Sequence, residues 1–286
     1  MVKKISFLIF KIILLLNFFF KHLKYYIYEY LKNSSFTYIK LNNQVIKFFT
    51  PSALSEWRIN NFFIKEPETL EWIDSFKMED NIIFWDIGAN IGVYSIYAAT
   101  KYEKIKVVAF EPSVSNLNIL ARNISLNNLK DTIIINQFPL SESSNQYLMM
   151  NESSYEEGSA LHSFGVNYNF EGIKFNPVNQ YKIFGNSINN LLQNNILDIP
   201  DYIKIDVDGI EHLILKGGSK YLNNSKIKSI SIELNENFQE QFNSCIDILN
   251  KSNFYIRHKK RGSTFGTKTN DKFSNTFNYV FDKKNI

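Results

Sequence analysis

The chain has 286 residues and a formal net charge of +4; it is 44% hydrophobic, 15% aromatic and 21% charged. That apolar mass suffices for one large or two small domains and excludes a wholly disordered chain. A single cysteine, Cys245, excludes an internal disulfide framework and a multi-cysteine metal site. Four scattered histidines argue against a histidine-rich centre, and a mild charge without a long basic block gives no reason to expect a nucleic-acid partner.

Residues 5–20, ISFLIFKIILLLNFFF, follow a lysine-bearing start and are interrupted only by Lys11 and Asn17. The run is shorter than the roughly 18–20 apolar residues of a spanning helix. It opens like a signal peptide but lacks a small-residue cleavage site. Three readings stay open: a peripheral helix facing acidic lipid with its lysines snorkelling, a helix packed on the domain or on a second subunit, and a cleaved signal. Residues 1–50 are set apart as an N-terminal extension and 51–286 as the main domain. Within the extension, short strands are expected near 36–41 and 44–49.

After the Thr50-Pro51 break, Ser52 suits the N-cap of a short helix through Trp57. Glu66-Pro67-Glu68-Thr69 opens another, running to about Lys77. From residue 81 strands and helices alternate. IIFWD (82–86) is a strand, 91–100 a helix, KVVAFE (106–111) a strand, and Ser113 caps a helix to about Asn127. TIIIN (132–136) is the third strand of this series. Residues 141–180 are polar and rich in Ser, Asn and Gly, and predict a hairpin with a long loop, of a length that is usually functional or disordered. Then follow a helix at 187–195, a strand YIKID (202–206), a helix through HLILKG and SKYL, a strand KSISIEL (228–234) and a helix 237–251. Two last strands, 254–258 and 276–282, flank a polar connection at 261–272. The alternation predicts an α/β fold with a parallel sheet covered on both faces.

Ligands of such sheets bind at the carboxyl ends of the strands, where Asp86, Glu111, Asp206 and Glu233 collect. Asp86-Ile-Gly88-Ala-Asn90-Ile-Gly92 stands between a strand and a helix. Gly88 permits a tight turn, Gly92 a close helix approach, and Asn90 tolerates left-handed geometry. Glu111 follows Asp86 by 25 residues, at the end of the next strand, where a carboxylate can accept both ribose hydroxyls. The loop departs from G-x-G-x-x-G, and an acid before it would repel a pyrophosphate. It suits a cation-bearing ligand, and S-adenosylmethionine has a ribose, an ammonium and a sulfonium. Asp206, Asp208, Glu211 and His212 form a second constellation. They can supply a base for an acceptor hydroxyl, or Asp208 and Glu211 can cap the helix and tie down its loop. A divalent metal on Asp206 and Asp208 is an open alternative but not the expectation. His162, in GSALHSFG, can supply a base from a closing loop or simply be a loop histidine. Cys245 reads as core, and Tyr155, Phe164 and Phe170 could stack on a sugar face.

DIGANIGVYS (86–95), VVAFEPSVSNLNIL (107–120), PDYIKIDVDGIEHLILKGG (200–218) and SISIEL (229–234) together resemble the FkbM-type S-adenosylmethionine-dependent methyltransferases over roughly residues 56–282. The resemblance implies a Rossmann-like class I methyltransferase fold: a seven-stranded, mostly parallel sheet whose final hairpin places one strand antiparallel. By position it implies that Asp86, Gly88, Asn90 and Gly92 form the amino-acid side of the cofactor pocket and that Glu111 holds the ribose. Pro112 and Ser113 would turn under the adenine, and Ser141 or Leu140 would border it. Family members often carry Glu where Asp208 stands and Asp where Asn189 stands, so Asn189 enters no mechanism here. The implied activity is O-methylation of a hydroxyl on a sugar, surface polysaccharide or related metabolite, in the cytoplasm or on the cytoplasmic face of the membrane. The competing classes are an NAD-type oxidoreductase, which the missing glycine fingerprint disfavours, and a non-catalytic binding protein, which the Asp86 and Glu111 set disfavours.

Overall fold

A computed structural model describes residues 1–41, 44–77, 81–174, 176–261 and 273–284. The chain opens with α1 (Val2–Phe19) and α2 (Leu23–Asn33), followed by the antiparallel hairpin β1 (Phe36–Leu41) and β2 (Gln44–Phe49). Ser52 caps α3 (Ala53–Asn60), its hydroxyl accepting the Ser55 N–H, as its sequence position predicts. Then come α4 (Phe62–Lys65) and α5 (Pro67–Asp74), the latter with proline in its first turn. The regular part is β3 (Ile82–Ile87), α6 (Val93–Lys101), β4 (Ile105–Phe110), α7 (Val114–Leu126) and β5 (Ile133–Asn136). An inserted three-stranded sheet contains β6 (Gln146–Glu152), β7 (Ser163–Phe164) and β8 (Asn179–Gly185), in the order β7-β6-β8. The chain ends with α8 (Ile188–Gln193), β9 (Tyr202–Ile205), α9 (Glu211–Lys216), β10 (Ser229–Asn235), α10 (Gln239–Lys251), β11 (Phe254–Lys260) and β12 (Thr276–Lys283).

The main sheet has seven strands in the order β11-β12-β10-β9-β3-β4-β5. β12 runs antiparallel to both neighbours, while β10, β9, β3, β4 and β5 are parallel. This is the Rossmann-like class I methyltransferase arrangement, an α/β fold. Side chains alternate across the strands. Phe84, Val107, Ala109 and Tyr202 face a core shared with α3, α5, α6, α7 and the β1–β2 hairpin. Trp85, Val108, Ile203, Ile205 and Ile232 face the opposite core under α8, α9, α10 and the small sheet. Cys245 belongs to the second core.

Some boundaries differ from the sequence expectation. The helix expected to reach Lys77 stops at Asp74, where the Ser75 N–H turns back to the Trp72 carbonyl. α9 does not continue through residues 219–222, because Gly217 and Gly218 follow its last turn. Gly217 lies against the Ser141 carbonyl, where a Cβ would collide. Residues 36–50 join the domain core: Phe48 and Phe49 are buried, and the Phe49 N–H donates to Asn123 Oδ1 at 2.7 Å. The polar connection expected at 261–272 lies outside the described residues except for Arg261.

α1 has no buried residue. Phe18 and Phe19 are 84% and 70% exposed, and the Lys24 N–H donates to Asn17 Oδ1 where α1 turns into α2. None of the described helices is long and apolar enough to cross a membrane. Because α1 adds nothing to either core, deleting residues 1–21 should move the thermal midpoint by less than about 2 °C, the scale of surface changes in a domain of this size. Calorimetry showing a much larger fall would mean that α1 packs on the domain.

Candidate active site

A cavity of about 450 Å³ lies at the carboxyl ends of β4, β3, β9 and β10, within the usual size range of small-molecule sites. Its rim residues follow strand order: Glu111 after β4, Gly88 to Asn90 after β3, Asp206 to Asp208 after β9, and Glu233 in β10. Three strand spacings separate the first from the last, roughly 14 Å.

The turn after β3 is shaped by backbone needs. Gly88 has φ +86°, and a Cβ there would collide with the Asp206 carbonyl oxygen. Asn90 takes a left-handed conformation, φ +52°, and its N–H donates to Glu111 Oε2 at 2.7 Å. Glu111 Oε1 accepts the Ser113 N–H at 2.9 Å. Each oxygen retains acceptor capacity toward the cavity. Burial pushes the Glu111 carboxyl up to about 7, against the pull of these backbone donors. A buried carboxylate with open lone pairs beside a glycine turn fits a vicinal diol. Pro112 and Leu140 line the cavity with Phe110 and Phe164, an apolar surface suited to a purine.

Five residues expected at this site do not line the cavity: Asp86, Gly92, Ser113, Ser141 and Glu211. Asp86 is fully buried, and Ser95 Oγ donates to its Oδ2 at 2.6 Å. Burial raises its pKa, with Lys204 opposing, and its Oδ1 has no partner. In β3 its side chain falls on the same face as Phe84, beneath the turn, so it supports the loop from below. Gly92, φ +87°, begins α6 against Leu120. Ser141 is buried, and its N–H donates to the Asn186 carbonyl. Glu211 turns back under its own loop and accepts the N–H groups of Val207 and Gly209, with Gln241 donating as well. Burial raises Glu211 to about 8. Of the two sequence readings, tying down the loop is the one its hydrogen bonds match. His212 also lies away from the cavity, facing Phe238, with its pKa lowered by burial to about 4.

Asp206 and Asp208 do line the cavity. Asp208, at φ +63°, accepts the Leu161 N–H at 2.7 Å, and burial followed by the Asp206 charge raises it to about 6. Asp206 pairs with Lys204 Nζ at 2.9 Å. Lys204 is buried in β9, in register with Asp86 on β3 and Ser231 on β10. Burial opposes its charge, but Asp206, Asp86 and Glu66 outweigh that and raise its pKa. Glu66, at the start of α5, pairs with Lys65 and accepts the Tyr94 hydroxyl at 2.8 Å. Burial disfavours its ionised form, but Lys65 and Lys204 hold it at about 2. Carboxylate oxygens of Glu66, Asp206 and Glu233 lie within 4.8 Å of one another, the closest acidic group among the described residues. The Lys204 ammonium already supplies a cation to that group.

Residues 153–164 strap the cavity. The Ser159 carbonyl accepts Asn90 Nδ2 at 2.7 Å and Asn116 Nδ2 at 3.0 Å, and Arg58 Nε donates to the Gly158 carbonyl at 2.6 Å. His162 lines the cavity, but its Nδ1 accepts the Ser153 N–H at 3.2 Å and its Nε2 meets Ser159 Oγ at 3.1 Å. Burial lowers its pKa. Of the aromatic candidates, Phe164 lines the cavity, Phe170 stacks on Phe273, and Tyr155 is exposed.

The sequence profile of the methyltransferase FkbM domain matches residues 86–261. The chain belongs to the FkbM methyltransferase domain family. The methyltransferase sdnD of Sordaria araneosa is 37% identical over 82 residues, covering 29% of this chain and 32% of that protein. The hexuronic acid methyltransferase AglP of Haloferax volcanii is 28% identical over 170 residues, covering 59% and 63%. The chain thus spans less than two thirds of either relative. Among solved structures, the precorrin-6y C5,15-methyltransferase of Geobacter metallireducens is similar with a TM-score of 0.44 at 12% identity, covering 77% of this chain and 89% of that one. The Methanococcus jannaschii fibrillarin pre-rRNA processing protein has a TM-score of 0.44 at 13% identity, covering 88% and 84%.

Lys204, Glu66, Tyr94 and Asn116 were not singled out from this FkbM-domain sequence. For Lys204 a signal existed: a lysine between apolar strand residues is seldom buried without charged partners. Glu66 read only as a helix-start acid.

Glu111 yields a pH prediction. Its folded pKa of about 7 lies above the ordinary 4.5, so its contribution to stability is present below 4.5 and lost as pH rises through 7. The ligand-free thermal midpoint should fall over that window, and the Glu111→Gln variant should show a shallower fall. Accepting hydroxyls needs the ionised form, so affinity for S-adenosylhomocysteine should rise from pH 6 to 8. Glu111→Ala should weaken it about 100-fold, the scale of two charge-assisted hydrogen bonds. Titration calorimetry checks both, and pH-independent, undiminished affinity would remove Glu111 from the cofactor seat.

Proposed function

We propose that this chain is an S-adenosylmethionine-dependent O-methyltransferase acting on a hydroxyl of a sugar, surface polysaccharide or related metabolite. The observation that carries this reading is a diol acceptor, Glu111, sharing one cavity with the ionisable groups Asp206, Asp208 and Glu233. Glu111 and the Gly88–Asn90 turn would hold the nucleoside, and Asp206 and Asp208 would face its cationic end. The cofactor, when bound, supplies an electrophilic methyl group. The protein's part is alignment of the acceptor oxygen, exclusion of water by the 153–164 strap, and a receiver for the hydroxyl proton. Acidic side chains outnumber basic ones along the cavity, which suits hydroxyl donors and disfavours phosphate chains. The hexuronic acid methyltransferase among the relatives supports a sugar acceptor.

Incubation with methyl-labelled cofactor and a panel of hexose and hexuronate glycosides, read by mass spectrometry, should find a product heavier by one methyl group. Asp206→Asn should keep affinity for S-adenosylhomocysteine and slow transfer roughly 100-fold, the scale of losing a group that orients the reacting hydroxyl. Unchanged turnover would take Asp206 out of the reaction.

The N-terminal helix supports a cytoplasmic location at the membrane face. Residues 1–28 contain five lysines and no acid, around an apolar surface with no buried residue. Anionic lipid matches that charge, and the exposed side chains match the acyl boundary. Full-length protein should float with vesicles of phosphatidylglycerol and phosphatidylcholine, and protein lacking residues 1–21 should not. Full-length protein left at the bottom of the gradient would end this reading.

A further inference from the structure

Among the described residues, the charged end of the cavity contains one carboxyl group without a paired counterpart. Glu66 has Lys65 and Tyr94, and Asp206 has Lys204. Asp208 accepts the Leu161 N–H. Glu233, half-buried on β10 and lining the cavity, stands within 4.8 Å of Glu66 and Asp206. Its strand neighbour in register is Asn278 of β12, whose Nδ2 is committed to Glu68. The charged or titratable groups around it are Lys65 and Glu66 at the α4–α5 junction, Glu68 on α5, Tyr94 on α6, Lys204 and Asp206 at the end of β9, Asp208 beyond it, and Arg261 after β11. The nearby acids exceed the charge that Lys65 and Lys204 can balance.

We propose that Glu233 is the proton acceptor of the transfer reaction, and that the sulfonium charge entering the cavity is what frees its carboxylate. The proposal rests on the cofactor assignment above and deepens it. With the cavity empty, burial and the Asp206, Glu66 and Asp208 charges keep Glu233 protonated well above the ordinary carboxyl range. A cation placed among these acids reverses that balance and expels the proton to solvent. The acceptor O–H then gives its proton to the Glu233 carboxylate while the oxygen forms a bond to the methyl carbon. The carbon–sulfur bond breaks and its electron pair stays on sulfur. The products are the methyl ether, a neutral thioether and a protonated Glu233, which is the resting state again. The loss of the positive charge therefore resets the base. Asp206, held by Lys204, orients the hydroxyl without having to take its proton.

The test is titration calorimetry of the full chain at pH 7 in two buffers of different ionisation enthalpy, with S-adenosylmethionine and S-adenosylhomocysteine. Both ligands carry a ribose, so both should release the same fraction of a proton from Glu111. The sulfonium form should release more, approaching one additional proton per site. In Glu233→Gln the extra release should vanish while the shared release and the affinity for S-adenosylhomocysteine persist. Glu233→Asp, which keeps a carboxyl group, should retain part of the extra release and guards against a folding defect in the first variant. With an acceptor in hand, Glu233→Gln should lower kcat by about 10²–10⁴-fold, the general-base range, with the cofactor KM little changed. Equal proton release by the two ligands, or an extra release that survives in Glu233→Gln, would overturn the proposal while leaving the cofactor assignment standing. If neither ligand binds, the cofactor assignment falls, and this proposal with it.

Discussion

An ammonium group buried in a parallel sheet persists only where carboxylates replace its lost water. Lys204 meets that condition through strand alternation. Tyr202 and Lys204 share one face of β9, and the chain continues to Asp206 in the same phase; neighbouring strands present Asp86, Ser231 and Glu233 to the same side. A polar row thus crosses a sheet that is otherwise apolar on that face. Glu66 closes the row from α5, tied to Lys65 and Tyr94. The cluster therefore joins the central strands to the α4–α5 junction and to α6. Replacing Lys204 by a neutral side chain would leave several acids facing one another, and the penalty for breaking a buried pair is about 3–5 kcal/mol.

The remainder of the rim is held by a second device, in which acids receive backbone N–H groups. Glu111 fixes Asn90 and Ser113, Glu211 fixes Val207 and Gly209, and Asp208 fixes Leu161. The Glu111–Asn90 and Asp208–Leu161 bonds join one loop to another, while the Glu111–Ser113 and Glu211 bonds brace their own loops. The strap over the cavity uses amides in the same way: Asn116 accepts the Gly158 N–H and donates to the Ser159 carbonyl. Loop positions at the rim are therefore set by hydrogen bonds rather than by apolar packing. Such bonds give polar backbone at a cavity rim the partners that it needs.

Much of this was legible in the residues. The alternation of apolar strands with capped helices located five parallel strands, and the acid after β4 located Glu111. The glycine turn was recognisable because Gly88 and Asn90 both need positive φ. Other features were not legible, for reasons of direction and distance. Asp86 follows the strand period, and the period directs its side chain beneath the turn; a motif read along the chain does not show that. Glu211 lies early in its helix in either reading, and only its bonds to Val207 and Gly209 distinguish a loop support from a base. Glu66 and Lys204 stand far apart in sequence, and neither carries a local signature of their meeting. The boundary at residue 50 was misplaced relative to the packing because an aromatic, lysine-rich hairpin looks like the preceding helix in composition, although Phe48 and Phe49 are core.

Along the rim, proton affinity varies with surroundings rather than with residue type. Glu66, beside two lysines, is held at about 2; Asp208 rises to about 6 and Glu111 to about 7, and Glu233 is also raised well above the ordinary carboxyl range. Burial acts on all four, so the spread comes from what each carboxyl group touches. Glu66, paired with a lysine, stays ionised, Asp208 and Glu111, with backbone donors, rise less far, and Glu233, where neighbouring acids outweigh Lys65, is pushed well above the ordinary carboxyl range. Carboxyl groups whose environments separate their proton affinities can take separate chemical roles within one cavity. The order along the strands follows the same division: backbone-supported Glu111 over β4 at one end, the acid-surrounded Glu233 on β10 at the other, and Asp206 between them. Under the proposal above, a ligand that carries a diol at one end and a positive charge toward the other finds an acceptor in Glu111 and displaces the proton held by Glu233. On the same proposal a neutral ligand of the same shape would satisfy only the first end, and discrimination between the charged and discharged forms would rest on the charge pattern of the sheet rather than on the cavity's shape.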